Sequence, residues 1–360
     1  MDKHFSLYLD LVRFTAAALV VLSHYTQHGV FGPAVKAAGH NLGREAVIVF
    51  FILSGFVIAW SAVEKALTLR QYVVARAARI YAVAAPLVLL AFGTGLLAMH
   101  IAGVSVESGY QLLKPWVYLP MHLLFMGELW TLAETPPWLV PYWSLGYEVW
   151  YYVLFGVVFY GRGRWRWLLT ALVLLVMGPK LWLLLPVWLA GACLYRYQGL
   201  LAISTAQARA GCVLTLAALL AYKLLALDVV LREAGVALWP FPGFPLSSAN
   251  RYLADYLVAV LMYAHFCFAR QACFTVPARW QQPIRALAAY TFPLYLAHGL
   301  VLGWWEQFYG VETGGAFDVL LLTVCIGLAT YACGVFTERQ RDWLRRRFDR
   351  PAPLAAQGMA

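Results

Sequence analysis

Charge is scarce in this chain. Only 12% of its 360 residues are Asp, Glu, Lys or Arg, while 62% are hydrophobic. A soluble domain is about half apolar and about a quarter charged. A chain so short of charge is not a soluble domain with an enlarged core, because the surplus apolar surface needs lipid to face. Metal-binding and disulfide signatures are missing too. None of the six cysteines forms a Cys-x-x-Cys pair, and no Cys/His cluster has zinc spacing. Most lie within apolar runs, where Cys acts as a small hydrophobe. No metal site is expected. Internal repeats and low-complexity tracts are lacking, and nothing reads as a separate soluble domain. The opening segment lacks a convincing cleavage site and carries an arginine and a histidine, so it is expected to stay as an uncleaved first span.

What remains is a polytopic, all-α integral membrane protein. Hydropathy places about ten transmembrane spans, near 8–28, 46–63, 80–102, 144–161, 166–178, 181–196, 210–227, 252–269, 287–306 and 317–336. The fifth and sixth are separated only by the turn Gly178, Pro179 and Lys180. Aromatic residues, at 16% with 15 Trp, suit interfacial belts. The net charge of +10 is distributed unevenly. Alternate loops collect nineteen basic residues, from Lys3 to Arg350, against seven in the other set: Lys36, Arg44, Lys114, Lys180, Lys223, Arg232 and Arg251. This alternation is what the positive-inside rule requires. Both termini are therefore expected to be cytoplasmic, with a ten-span membrane domain over 1–340 and a basic cytoplasmic tail over 341–360. The expected location is the inner (cytoplasmic) membrane. The basic charge is spent on the bilayer surface, and no nucleic-acid partner is expected. Oligomeric state is not legible.

Two loops of the less basic set are long. The first, about 103–143, holds the apolar piece Pro115 to Met126, too short to span and read as re-entrant or interfacial. The second, about 228–251, holds Pro240, Pro242, Gly243 and Pro245. Loops of this length suit a lid over an acceptor site.

A few residues stand out because hydrocarbon tolerates them poorly. Arg13 and His24 lie in the first span, eleven positions apart. At about 100° per residue they project from nearly one face, roughly 16 Å apart along the axis. An intramembrane cation costs on the order of 3 kcal/mol, so a pair on one stripe points to a lined cavity. Asp10, one turn before Arg13, is placed to orient it by an ion pair. A neutral imidazole at His24 suits a general base for a hydroxyl. Arg76 and Arg79 share a face at the inner mouth of the third span, and arginine forks fit phosphate oxygens. Glu148 opens the fourth span from outside, near Ser144 and Tyr147 and beside Tyr142, Trp143 and Trp150, whose rings suit a sugar or an interfacial belt alike. The Ser54-Gly55 step in the second span reads as close helix packing. In the ninth span Pro293 is expected to kink the helix, and Tyr295 and His298 are further cavity candidates.

Taken in order, these segments resemble the acyltransferase-3 family of membrane-bound acyltransferases, in the form without a fused esterase-like domain. Five motifs carry the likeness: Leu9-Asp10-x-x-Arg13 followed by His24; Phe50 to Ile58 as FF-x-LSGF-x-I; Arg76 and Arg79; Trp143-Ser144-Leu145-x-x-Glu148; and Tyr295-Leu296-x-His298. Two positions depart from the family pattern. Ala75 stands where a doubled arginine is common, and Ile48 where an acid often precedes the second motif. The resemblance implies transfer of an acyl group, most often acetyl from acetyl-CoA as co-substrate, to a hydroxyl of an extracytoplasmic glycan or related acceptor. No tightly bound cofactor is implied. Arg76, Arg79 and Arg13 would hold the donor, His24 would be the base, and Glu148 would support the imidazole or bind the glycan. Trp143, Ser144, Tyr147, Tyr295 and His298 would contact the acceptor. The rival reading is a transporter of a glycolipid or small anion, which would also explain intramembrane charge. A third is a non-catalytic membrane sensor or scaffold, which leaves the ordered motifs unexplained.

Overall fold

A computed structural model describes residues 2–38, 42–101, 103, 105–106, 108–197, 202–241, 243–310 and 315–348. Pro242 and most of the expected tail, 349–360, lie outside the described residues. The described residues form helices and connecting turns, with no strand among them. In chain order the helices are α1 (Lys3–Gln27), α2 (Pro33–Ala38), α3 (Gly43–Glu64), α4 (Leu69–His100), α5 (Gly109–Leu112), α6 (Pro115–Leu123), α7 (Trp143–Tyr160) and α8 (Gly163–Met177). They continue as α9 (Pro179–Tyr197), α10 (Thr205–Leu224), α11 (Leu227–Leu238), α12 (Tyr252–Gln271), α13 (Ala278–Ala289), α14 (Thr291–Phe308) and α15 (Ala316–Phe348).

Nine of the ten apolar stretches fall mainly on one helix each, and the stretch 287–306 runs from the end of α13 across Tyr290 into α14. By length and apolarity, six of these helices suffice to cross a membrane: α1, α3, α4, α10, α12 and the first part of α15. The number becomes eight if the bent pairs α8–α9 and α13–α14 each count as one span. α7 holds a glutamate and many aromatic residues, and α8 has only 15 residues. Among the described residues the structure therefore supports six to eight crossing helices, where hydropathy along the sequence places about ten. α15 runs on past residue 340 to Phe348.

The hub is α3, which packs on α1, α7, α9 and α12. Two glycines make its contact with α9 close. A Cβ on Gly55 would lie 2.1 Å from the Trp188 carbonyl oxygen, and one on Gly191 1.9 Å from that of Ile52. The Ser-Gly step does serve helix packing, as its composition implies. α1, α4 and α14 stand around the same centre, with α15 against α4 and α14.

Two details differ from the sequence expectation. The break between α8 and α9 is at Gly178 alone, which takes φ +75°, and α9 turns through 116° relative to α8. Pro179 and Lys180 already belong to α9, because proline is tolerated in a first turn. The bend of 47° between α13 and α14 falls at Tyr290, not at Pro293. Pro293 is the third residue of α14, where its missing N–H would have had no intrahelical partner.

Candidate functional site

Local chemistry aims the arginines. Thr68 caps α4: its hydroxyl accepts from Gln71 N at 3.3 Å, and Gln71 Oε1 accepts from Thr68 N at 3.0 Å. This reciprocal box fixes where α4 begins. Arg76 and Arg79 follow in its second and third turns, on one face. From α1, Arg13 joins them, with its Nη1 3.9 Å from Asp10 Oδ1.

These three guanidiniums line two cavities at once. One cavity is walled by Asp10, Arg13, Arg76, Arg79 and Arg285, the last from α13. The central cavity adds Ser54, Ser144, Glu148, Tyr152 and Tyr295 to the three arginines. The shared walls make the two compartments neighbours. Arg76 Nε is buried with no hydrogen-bond partner among the described residues. An unmatched buried donor of this kind is costly and marks a place where an anion would be welcome.

Glu148 faces this cavity from α7. Its Oε1 accepts from Ser54 Oγ at 2.6 Å and from the Tyr152 hydroxyl. Trp188 Nε1 donates to the same Ser54 Oγ at 3.2 Å. The carboxylate thus belongs with the arginines and a serine that composition alone assigns to packing. It has no contact with His24.

His24 stands at the far end of α1, in the wall of a vestibule with His28, Trp138 and Glu306. His28 Nδ1 lies 2.8 Å from Glu306 Oε2 at its rim. His298 of α14 is fully buried beside His24: His298 Nε2 is 3.2 Å from His24 Nδ1, and the ring centroids are 5.0 Å apart. One turn earlier on α14, the Tyr295 hydroxyl lies 2.6 Å from Ser144 Oγ and donates to the Pro141 carbonyl at 3.2 Å. The described lining of the vestibule shares no residue with that of the central cavity. Ser144, Tyr295 and His298 form the layer between them.

Sequence reading therefore named residues that the fold gathers at two levels. Arg13, Arg76, Arg79, Glu148, Ser144 and Tyr295 meet at the central cavity, and His24 and His298 meet beyond it. Trp143 and Tyr147 stand apart from these walls. Arg44 lies over the Trp143 ring at 4.7 Å, and buried Tyr147 bonds Ser248 Oγ at 2.8 Å. Ser54, Tyr152 and Arg285 were not singled out for the site. Ser54 lies inside the second motif and Arg285 in a basic loop, but nothing local reveals what either faces. Among the described residues, no three His, Cys, Asp or Glu side chains are grouped to hold a metal ion.

Comparison with curated proteins and with solved structures gives no match. The family model for the acyltransferase domain matches residues 6–339, nearly the whole chain, and spans every residue of the two levels just described. The chain belongs to the acyltransferase-3 family.

Proposed function

We propose that this membrane acyltransferase takes an acyl group, acetyl first among candidates, from acyl-CoA on the cytoplasmic side. It passes the group to a hydroxyl of a glycan or related acceptor on the outer side of the inner membrane. The observation that carries this reading is the order of the compartments. Guanidiniums line the cavities beside the N-terminal half of α1, and an imidazole lies at its C-terminal end beyond one thin layer. A polyanionic nucleotide suits the first environment and a neutral alcohol the second.

In this reading Arg76, Arg79 and Arg13 bind the phosphates, with Arg285 at the entrance. Forked guanidinium–phosphate contacts are charge-assisted and directional. The thioester arm extends toward Tyr295 and Ser144, and the layer they form has to open for the acyl carbon to meet the acceptor. The acceptor enters the outer vestibule. His24 accepts its hydroxyl proton as the oxygen attacks the thioester carbonyl carbon. The C–S bond breaks, the thiolate leaves, and the imidazolium returns the proton to it. The products are an ester and free CoA. Glu148 partly offsets the three cations and keeps the site from binding CoA too tightly for release.

The test is mass spectrometry of cell-envelope glycans with and without the protein, repeated with His24→Ala. An acyl mass increment that needs both the protein and His24 is expected. An increment that survives His24→Ala at normal protein level removes His24 as the base. Substrate flux without covalent change would favour the transporter reading.

A further inference from the structure

His298 has two ring nitrogens, and both are occupied. Nδ1 lies 2.9 Å from the carbonyl oxygen of Leu294, one turn back on its own helix. Nε2 lies 3.2 Å from His24 Nδ1. A carbonyl oxygen can only accept, so Nδ1 of His298 carries the hydrogen. In the neutral imidazole the other nitrogen is then a bare acceptor. Nε2 of His298 thus has a lone pair and no hydrogen, and the neighbouring His24 Nδ1 must donate to it. Two bare nitrogens at this distance would repel, and two hydrogens would clash. The proton pattern of His24 follows: hydrogen on Nδ1, lone pair on Nε2.

The free nitrogen is the one a base needs. His24 lines the outer vestibule, and among the described residues its Nε2 makes no hydrogen bond. A hydroxyl in that vestibule would meet a lone pair. The opposite tautomer would offer it an N–H and no basic site.

His298 is also held where this requires it. It is fully buried, between two residues of α14 that grip the turn before α7. Tyr295 donates to the Pro141 carbonyl, and Gly299 sits so close that a Cβ there would be 2.5 Å from Pro141 Cδ. With no exposed surface and no free nitrogen, His298 cannot itself contact an acceptor in this arrangement.

We propose that His298 is a positioning residue that fixes His24 in its Nδ1-protonated form and aims Nε2 into the outer vestibule. It does the work of an orienting acceptor without bringing a negative charge into the membrane. This inference rests on the base role proposed for His24 and goes beyond it, since it reassigns His298 from acceptor contact to control of the base.

The experiment uses the full-length protein in lipid nanodiscs. It compares wild type, His24→Ala, His298→Gln and His298→Leu by steady-state acyl transfer and by ¹⁵N NMR of histidine-labelled protein, with His24 assigned by its absence in His24→Ala. Glutamine places an oxygen acceptor near the lost Nε2, whereas leucine keeps bulk and removes the acceptor. In wild type and His298→Gln, His24 should be protonated at Nδ1, with turnover retained within about fivefold in the glutamine variant. His298→Leu should lose about a hundredfold in kcat, the scale of general-base catalysis, with little change in acceptor KM and with the Nε2-protonated form now populated. A raised acceptor KM with unchanged kcat in His298→Leu would return His298 to acceptor binding. Equal losses in both His298 variants with an unchanged His24 signal would make it a packing residue. Wild-type His24 protonated at Nε2 overturns the proposal without any variant. Full activity in His24→Ala would instead refute the base role itself, and this inference with it.

Discussion

Ser54 of α3 donates its hydroxyl hydrogen to Glu148 of α7 across 2.6 Å, at the point where three arginines reach the central cavity. A carboxylate held by hydroxyls among guanidiniums lowers the local positive potential without closing the site to anions. Glu148→Gln keeps the shape and removes the charge. The variant should bind CoA more tightly, by about 1 kcal/mol or roughly fivefold, while acyl transfer falls. Isothermal calorimetry with CoA tests this directly. Weaker binding at unchanged thermal stability would mean that the carboxylate touches the donor, and the charge-balance argument would be lost.

Arg76 and Arg79 should show the opposite sign. Each charge-assisted hydrogen bond to phosphate contributes about 1.5–3 kcal/mol. Arg76→Ala and Arg79→Ala should therefore each weaken CoA binding by roughly tenfold to a hundredfold. The loss should shrink as ionic strength rises, because exposed parts of the attraction are screened. Unchanged CoA affinity in both variants would detach the donor from these cavities.

How far these features were legible depended on whether their cause was local. Ten apolar runs were visible because lipid-facing surface is written residue by residue. Arg13, Arg76, Arg79 and Glu148 stood out because hydrocarbon tolerates them poorly. Their partners were not visible. Ser54 and Glu148 are 94 positions apart, and His24 and His298 are 274 apart. Nothing in either segment states that two helices will meet there. The same gap hid the pairing of cations in the less basic set of loops. Arg44 pairs with Asp255, Lys180 with Glu128, and Lys223 and Arg251 with Glu45 and Asp228. A loop charge count treats them as free, whereas the fold pairs each with a carboxylate.

The last of those clusters gives a pH prediction. Asp228, on α11 in the second long loop, is pushed up by partial burial. The Lys223 hydrogen bond at 2.6 Å and the charges of Lys223 and Arg251 outweigh this and leave its carboxyl below the ordinary 3.8. A carboxylate depressed in the folded state binds protons more readily when unfolded. Its stabilisation is present above about pH 4 and is lost as pH falls through the lower folded value. Asp228→Asn should lower the melting temperature at pH 6, and the gap to wild type should close toward pH 3. A gap independent of pH would place the effect in packing.

The contact between α3 and α9 gives the sharpest structural prediction. A methyl group added at Gly191 would approach the Ile52 carbonyl oxygen to 1.9 Å and Phe56 N to 2.8 Å. Both are backbone atoms of a buried helix, so neither can swing aside as a flexible side chain would. Gly191→Ala must separate α3 from α9 and loosen the packing of Trp188, whose indole N–H holds Ser54. A loss of about 2–3 kcal/mol is expected, the upper range for overpacking a core. Acyl transfer should fall with it, because Ser54 orients Glu148. Gly93, inside α4, is the control, since nothing lies within 4 Å of a Cβ there. Gly93→Ala should be neutral or stabilising by up to about 1 kcal/mol, as alanine is the better helix former. Thermal unfolding of both variants in one detergent decides the matter. If Gly191→Ala melts with wild type, the close approach of α3 and α9 is not a feature of the folded protein, and the geometry built on Ser54 goes with it.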